Sequence, residues 1–390
     1  MRALVLLSIT AAIGSAVSGA PDVLPHNQRV VERRVPDGGI QPQVAVDDRG
    51  AVHLIYFRGD PAHGDVFYVR STDDGATFSS PIQVNHQGGS AIATGTVRGA
   101  QIAVGRNGRV HVAWNGSAAA APKAPFGVGP LLYARLNDEG TAFEPERNII
   151  DRAYGIDGGS SVAADRAGHV YVVWHAPEPG QRDEAHRRVW IAKSSDDGKT
   201  FDGETAVSPP LTGACGCCGL GAYADRRSTL YVLYRSAFET VNRDMHLLVS
   251  RDRGREFTNA IVDRWNVGAC VMSTQAFTEG PASALTAWET QGQVYYGAID
   301  AQSGRVSRAI GAPGGDRTRK HPALAADADG NVLFGWTEGT AWNKGGSAAW
   351  QMFDSSGAEK GPPGRADGVV PVWGMVGAFA RRAGGFAIVY

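Results

Sequence analysis

The sequence predicts an all-β chain folded as a β-propeller, with seven four-stranded blades as the count and six as the alternative. Three observations carry this. The stretch Gln41 to Asn85 holds four β-rich runs, QVAV, AVHLIYF, DVFYVRS and SPIQVN, separated by turn signals and free of helix. Its second run closes on an aromatic residue that recurs at Tyr56, Trp114, Trp174, Tyr234, Trp288, Trp336 and Tyr390, at intervals of 58, 60, 60, 54, 48 and 54 residues. A repeat one sheet long buries both apolar faces only against its neighbours. Finally, the seventh repeat stops after two strands at Tyr390, while a strand-like run, Arg29 to Val35, stands ahead of the first repeat. Joining the two ends in one blade closes the ring and removes the open edges of a linear array.

In chain order, Met1 and Arg2 give a positive start, Ala3 to Val17 are almost wholly apolar, and Ser18 and Ala20 are small. This is the pattern of a signal peptide over residues 1–20, cleaved near Ala20. The apolar run is too short for a membrane span. Residues 21–390 then form one propeller domain, secreted or periplasmic, expected as a monomer. The 51 glycines collect between strands, where turns need positive φ. With 38 basic against 39 acidic residues there is no global field, which argues against nucleic acid or an anionic membrane as partner.

The hairpin after the third strand carries STDDGATF (Ser71 to Phe78), SSDDGKTF (Ser194 to Phe201) and SRDRGREF (Ser250 to Phe257). Worn copies lie at LNDEGTAF (Leu136 to Phe143) and around Gly304 and Gly357. Ser and Asp bond turn NH groups, Gly permits positive φ, and the aromatic is expected to pack the hairpin onto its own blade. The acidic pairs Asp73 and Asp74, and Asp196 and Asp197, are therefore structural.

These hairpins resemble the Asp-box, or BNR, repeats of the sialidase superfamily. The resemblance implies an exported propeller whose ligand site lies at the mouth opposite the hairpins. The sequence departs from the sialidase pattern in two ways: sialidases typically have six blades, and they carry an Arg-Ile-Pro triplet, whereas here Arg29 is followed by Val30 and Val31. No catalytic residue transfers by motif.

The repeat register places Ile40, Arg98, Gly158, Cys218, Met272, Lys320 and Gly374 in one ring around that mouth. All four cysteines fall there: Cys215, Cys217 and Cys218 in GACGCCG before blade four, and Cys270 in GACVMS before blade five. The CxCC and CxM loops look like those of a group of exported sialidase-like propellers. Three chemistries fit. Four cysteines in an exported protein can pair as disulfides, although the adjacent Cys217 and Cys218 constrain the pairing. Thiolates with the Met272 thioether suit copper(I), and thiolates with imidazole suit zinc, which makes His175 and His321 further candidate ligands. A redox-active dithiol is the third.

Arg98, Arg235, Arg319 and Lys320 are candidates to bind an anionic ligand such as a glycan. For a sialidase-like hydrolysis, which the resemblance would assign to a carboxylic acid and a tyrosine nucleophile, the candidates are Asp157, Glu289 and Tyr154. His53 and His111, inside second strands, are expected to pack between blades. The longest mouth loops follow Trp114 and Trp174, and Asn115, Gly116 and Ser117 form a glycosylation sequon. The sequence thus leaves three functions: a propeller that binds or hydrolyses an anionic glycan, a copper or zinc binder, and an interaction scaffold.

Overall fold

A computed structural model describes residues 30–239, 241–315 and 318–390; the expected leader lies outside them. Seven sheets form the ring. Their inner strands are Ile40–Val46, Gln101–Val104, Ser161–Ala164, Gly221–Ala224, Ala276–Glu279, Arg319–Ala326 and Gly377–Ala380. Each packs beside the next, and the seventh packs beside the first. Between every pair of neighbouring blades lies one apolar cluster, such as Ile55, Tyr68, Val112 and Trp114 between blades one and two. All seven aromatic anchors are buried. Several satisfy their polar edge: Trp174 Nε1 donates to Ala153 O at 2.9 Å and Trp288 Nε1 to Asp263 Oδ2 at 3.0 Å. Among the described residues no helix is long and apolar enough to cross a membrane.

Six sheets are four-stranded and antiparallel, while the seventh has three described strands. Its third member is Val30–Arg33, within the expected run, pairing parallel with Phe386–Val389. The direction has a topological reason. Each inner strand starts at the mouth, so the segment that precedes it must run toward the mouth, as every fourth strand does. Val30–Arg33 leads into blade one and therefore runs parallel to a second strand when it takes the third place. Backbone bonds Val35 N to Tyr390 O, 2.9 Å, and Tyr390 N to Arg33 O, 3.0 Å, extend the closure.

The Ser/Asp hairpins share one geometry. Ser71 Oγ donates to Asp73 Oδ1 at 2.7 Å and accepts from Gly75 N at 2.9 Å, while Asp73 accepts from Thr77 N at 2.9 Å. Ser194 and Asp196 repeat these bonds, and Ser250 and Asp252 repeat the serine pair. Gly75, Gly140, Gly198, Gly254, Gly304 and Gly357 all have φ between 68° and 81°, so the worn copies keep the left-handed turn. One expectation is corrected: the closing aromatics cross to the preceding blade, with Phe143 edge-on to Tyr68 at 5.6 Å and Phe201 edge-on to Tyr133 at 4.9 Å. The hairpin overhangs the interface, so its ring buries more surface between blades than on its own. His53 and His111 are buried as expected and bond the hydroxyls of Tyr68 and Tyr133 at 2.8 and 2.7 Å.

The second acid of each pair staples the ring. Asp74 accepts from the backbone of Arg382 and Ala383 in blade seven, both at 2.9 Å. Asp197 is almost fully buried, 2.6 Å from Arg109 Nε and 3.7 Å from Arg135 Nη1, both in blade two. Removing one member of a buried ion pair strands the other. Asp197→Ala should therefore lower unfolding free energy by about 3 kcal/mol or more in denaturant titration.

Candidate functional site

The loop that leads into blade four folds back on itself. Cys218 N donates to Cys215 O at 3.2 Å, a tight turn that turns three thiols inward. Cys215 Sγ lies 3.0 Å from Cys218 Sγ and 3.5 Å from Cys217 Sγ, and all three sulfurs fall within 4.8 Å of one another. All four cysteines are free thiols; Cys215 and Cys218 are buried, Cys217 is half-buried, and Cys270, on the blade-five loop, is exposed.

Its own blade and both neighbours hold this turn. Cys215 N donates to Arg235 O at 2.9 Å, and Gly219 N donates to Ser273 O at 3.0 Å. Glu184, from the long loop of blade three, accepts from Gly216 N at 2.6 Å. Gly158, one of the ring positions, lies so close beneath that a Cβ there would sit 2.1 Å from Cys218 O, a contact only glycine avoids. His175 Nε2 donates to Cys218 O at 3.0 Å, so its Nδ1 carries no proton and faces Arg187 Nε at 3.4 Å. Burial, with the Arg187 charge, pushes the His175 imidazole down to about 4. Both its nitrogens are engaged, and it braces the cysteine turn.

The other candidates divide between two places. Beside the thiols, Arg235 is buried with Nη2 3.5 Å from Glu289 Oε2, and its guanidinium lies over the Trp265 ring at 5.2 Å. Arg187 and Arg243, which the repeat register does not single out because they lie at the loops joining strands two and three, are buried there too. Burial alone would raise the Cys218 thiol. Hydrogen bonds from Cys215 and Cys217, the Arg235 charge and the Ser273 backbone more than offset it, and Cys218 falls well below the ordinary thiol range.

Further round the mouth, Met272, Lys320 and His321 line a cleft with Thr96, Trp342 and Trp373. Met272 and His321 are left-handed, at φ 50° and 51°, strained positions for their side chains. His321 Nδ1 lies 3.3 Å from Thr274 Oγ1, and burial, with Lys320, pushes its imidazole down to about 3. Lys320 Nζ donates to Val271 O at 2.6 Å. Arg98 pairs with Asp157 at 2.6 Å and lies over Trp342 at 5.9 Å. Tyr154 packs edge-on to Phe126, and Arg319 is anchored by Glu338 Oε1 at 3.0 Å and Pro313 O at 2.8 Å. Among the described residues, no hydrogen bond joins Asp157, Glu289 and Tyr154 to one another.

Glu289 is 1% exposed, and Gly292 N donates to its Oε1 at 2.7 Å. Burial pushes its carboxyl up to about 7; Arg235, Gly292 and Lys320 pull the other way. The folded chain thus keeps a proton that the unfolded chain releases above its ordinary value of 4.5. This group's contribution to stability is whole below that value and is lost as pH climbs to about 7. At roughly 1.4 kcal/mol per pH unit, the window is worth about 3 kcal/mol. The stability difference between the parent and Glu289→Gln should shift by that order between pH ~4 and ~8 in chemical denaturation, in favour of the variant at high pH.

No family model matches the chain, and neither does any curated protein. Solved structures share its fold at low identity. A protein of unknown function from Dyadobacter fermentans superposes with TM-score 0.55 and 14% identity, covering 85% of this chain and 95% of that one. The Penicillium chrysogenum α-L-arabinanase complexed with arabinobiose gives TM-score 0.52 and 12% identity, covering 83% and 95%. The Trypanosoma rangeli sialidase also gives 0.52 and 12%, covering 80% of this chain, which spans 53% of the sialidase. At such identities the likeness establishes the fold alone, a β-propeller, which this chain builds with seven blades.

Proposed function

We propose that this is an exported, sialidase-like propeller of the Asp-box type, from the group with CxCC and CxM loops, and that it binds a soft metal ion at its mouth. One observation carries this reading: the sulfurs of Cys215, Cys217 and Cys218 converge within 4.8 Å on one rigid turn. Convergent thiolates select copper(I) or zinc among biological cations. Three suffice for copper(I), whereas zinc would complete its tetrahedron with a further ligand such as water. Met272, two residues after Cys270, lines the neighbouring cleft. Metal content and free thiols, measured on protein purified from its native compartment without reductant, test this. Near-stoichiometric copper or zinc, lost in Cys218→Ser, is expected. Absence of both metal and free thiols would make the cysteines disulfide braces and overturn it; Cys215 and Cys218, at 3.0 Å, are the pair closest to bonding.

A second reading, an anionic glycan held at the same mouth, is favoured by the cleft where Trp342 and Trp373 stand beside Lys320 and Arg98. Aromatic walls with a few convergent cations suit a sugar acid. Binding fits better than hydrolysis, because Glu289 is buried under Arg235 and, among the described residues, no hydrogen bond joins it to Tyr154 or Asp157. Titration with sialic acid should give saturable quenching of tryptophan fluorescence that Trp342→Ala abolishes. No quenching with several sugar acids would count against this reading.

A further inference from the structure

Three arginines surround the cysteine turn, and their charges are poorly matched. Arg235, Arg243 and Arg187 are 1%, 5% and 7% exposed. Arg187 bonds only the carbonyl oxygens of Gly155 and His175 and the His175 ring, and no carboxylate lies within ion-pair distance of it among the described residues. Arg243 reaches Glu184 Oε2 at 2.8 Å through Nη2 alone. Its Nε and Nη1, with Arg235 Nε, are buried and have no hydrogen-bond partner. Lys320, bonded to a backbone carbonyl, adds a fourth cation. Buried guanidinium NH groups left unpaired cost stability unless something anionic answers them. Glu184 and Glu289 answer part of this charge, and Asp157, within range of Arg187, is already paired with Arg98; the other groups within range are sulfurs, Cys215 for Arg187, Cys218 for Arg235 and both for Arg243.

We propose that Arg187, Arg235 and Arg243 form a cationic cage that holds the three-cysteine turn as an anionic thiolate complex and thereby favours copper(I). The inference rests on the metal reading above and names its cargo. Each thiol that binds gives its proton to solvent. Three thiolates around copper(I) leave a net charge of minus two, and the same three around zinc leave minus one. A cage with surplus positive charge stabilises the first more than the second, since Coulomb attraction scales with the charge of the complex. The arginines touch no metal; they are positioning residues that act through the sulfurs.

The test compares parent, Arg243→Met, Arg243→Lys and Arg187→Met, titrating each with copper(I) against a chromophoric copper(I) chelator and with zinc against a zinc indicator. Arg243→Met should lose copper(I) affinity by roughly 10- to 100-fold, the range seen when groups that orient metal ligands are removed. It should lose less for zinc, and Arg243→Lys should keep most of the copper(I) affinity. Arg243→Met strands Glu184, so its metal-free melting temperature should fall. In Arg187→Met, where no carboxylate partner is stranded, the metal-free melting temperature should stay level or rise while copper(I) affinity falls. Affinity loss in Arg187→Met accompanied by a fall in its metal-free melting would mark a merely structural arginine and overturn the proposal. So would parent-like copper(I) affinity in Arg243→Met. Arg187→Met also stands in for Arg243→Met should that variant not fold, with the same loss expected. If the parent binds neither metal, the metal reading itself fails, a result distinct from a parent that binds beside variants that bind equally well.

Discussion

A four-stranded antiparallel sheet has two apolar faces, and neither can be left wet. Everything else in this chain follows from that constraint. Each blade covers one face with the blade before it and the other with the blade after it, so the array is stable only once the first and last blades meet. Seven apolar clusters, one at each interface, record the solution. The closure draws strands from both ends of the chain, and the need to enter blade one at the mouth sets the parallel direction of Val30–Arg33. The Ser/Asp hairpins serve the same constraint from below, because their second acids and closing aromatics reach across interfaces as well as stiffening their own turns.

A closed ring is rigid, and rigidity lets its loops hold costly arrangements. The mouth carries left-handed side-chain residues at Met272 and His321, a glycine that admits no Cβ at Gly158, and buried arginines with unpaired nitrogens. Each is unfavourable alone and persists only where surrounding structure over-determines it. Such concentrations of strain and underpaired charge mark sites with work to do. The thiol turn lies among them. Loops of blades three, four and five all bond to it, so it is built by the ring and not by its own sequence.

Electrostatics at this mouth also separates the two readings by place. The thiols are ringed by buried cations, a setting for a small, soft, anionic complex. The Trp342 and Trp373 cleft is more open, with Arg98 already held by Asp157, a setting for a larger ligand that lies across a surface. Both settings lie on one rim of the ring.

Much of this was legible in the sequence, for local reasons. The aromatic anchor at the end of each second strand, the alternation of the strands and the glycine of each hairpin are fixed by neighbours a few residues away. They yield the blade count, the closing strand and the assignment of all four cysteines to one rim. The tertiary structure decided what those rim residues do. Register placed His175 and Cys218 on one face, but only the fold showed the histidine spent on the cysteine's carbonyl, and it placed Met272 and His321 in a cleft with Trp342 and Trp373. Arg187, Arg243 and Glu184 gave no signal, because they stand in or beside loops whose lengths differ from repeat to repeat. Periodicity reports which way a residue faces; which charges meet across three blades depends on the path of irregular loops, and that is settled only when the ring closes.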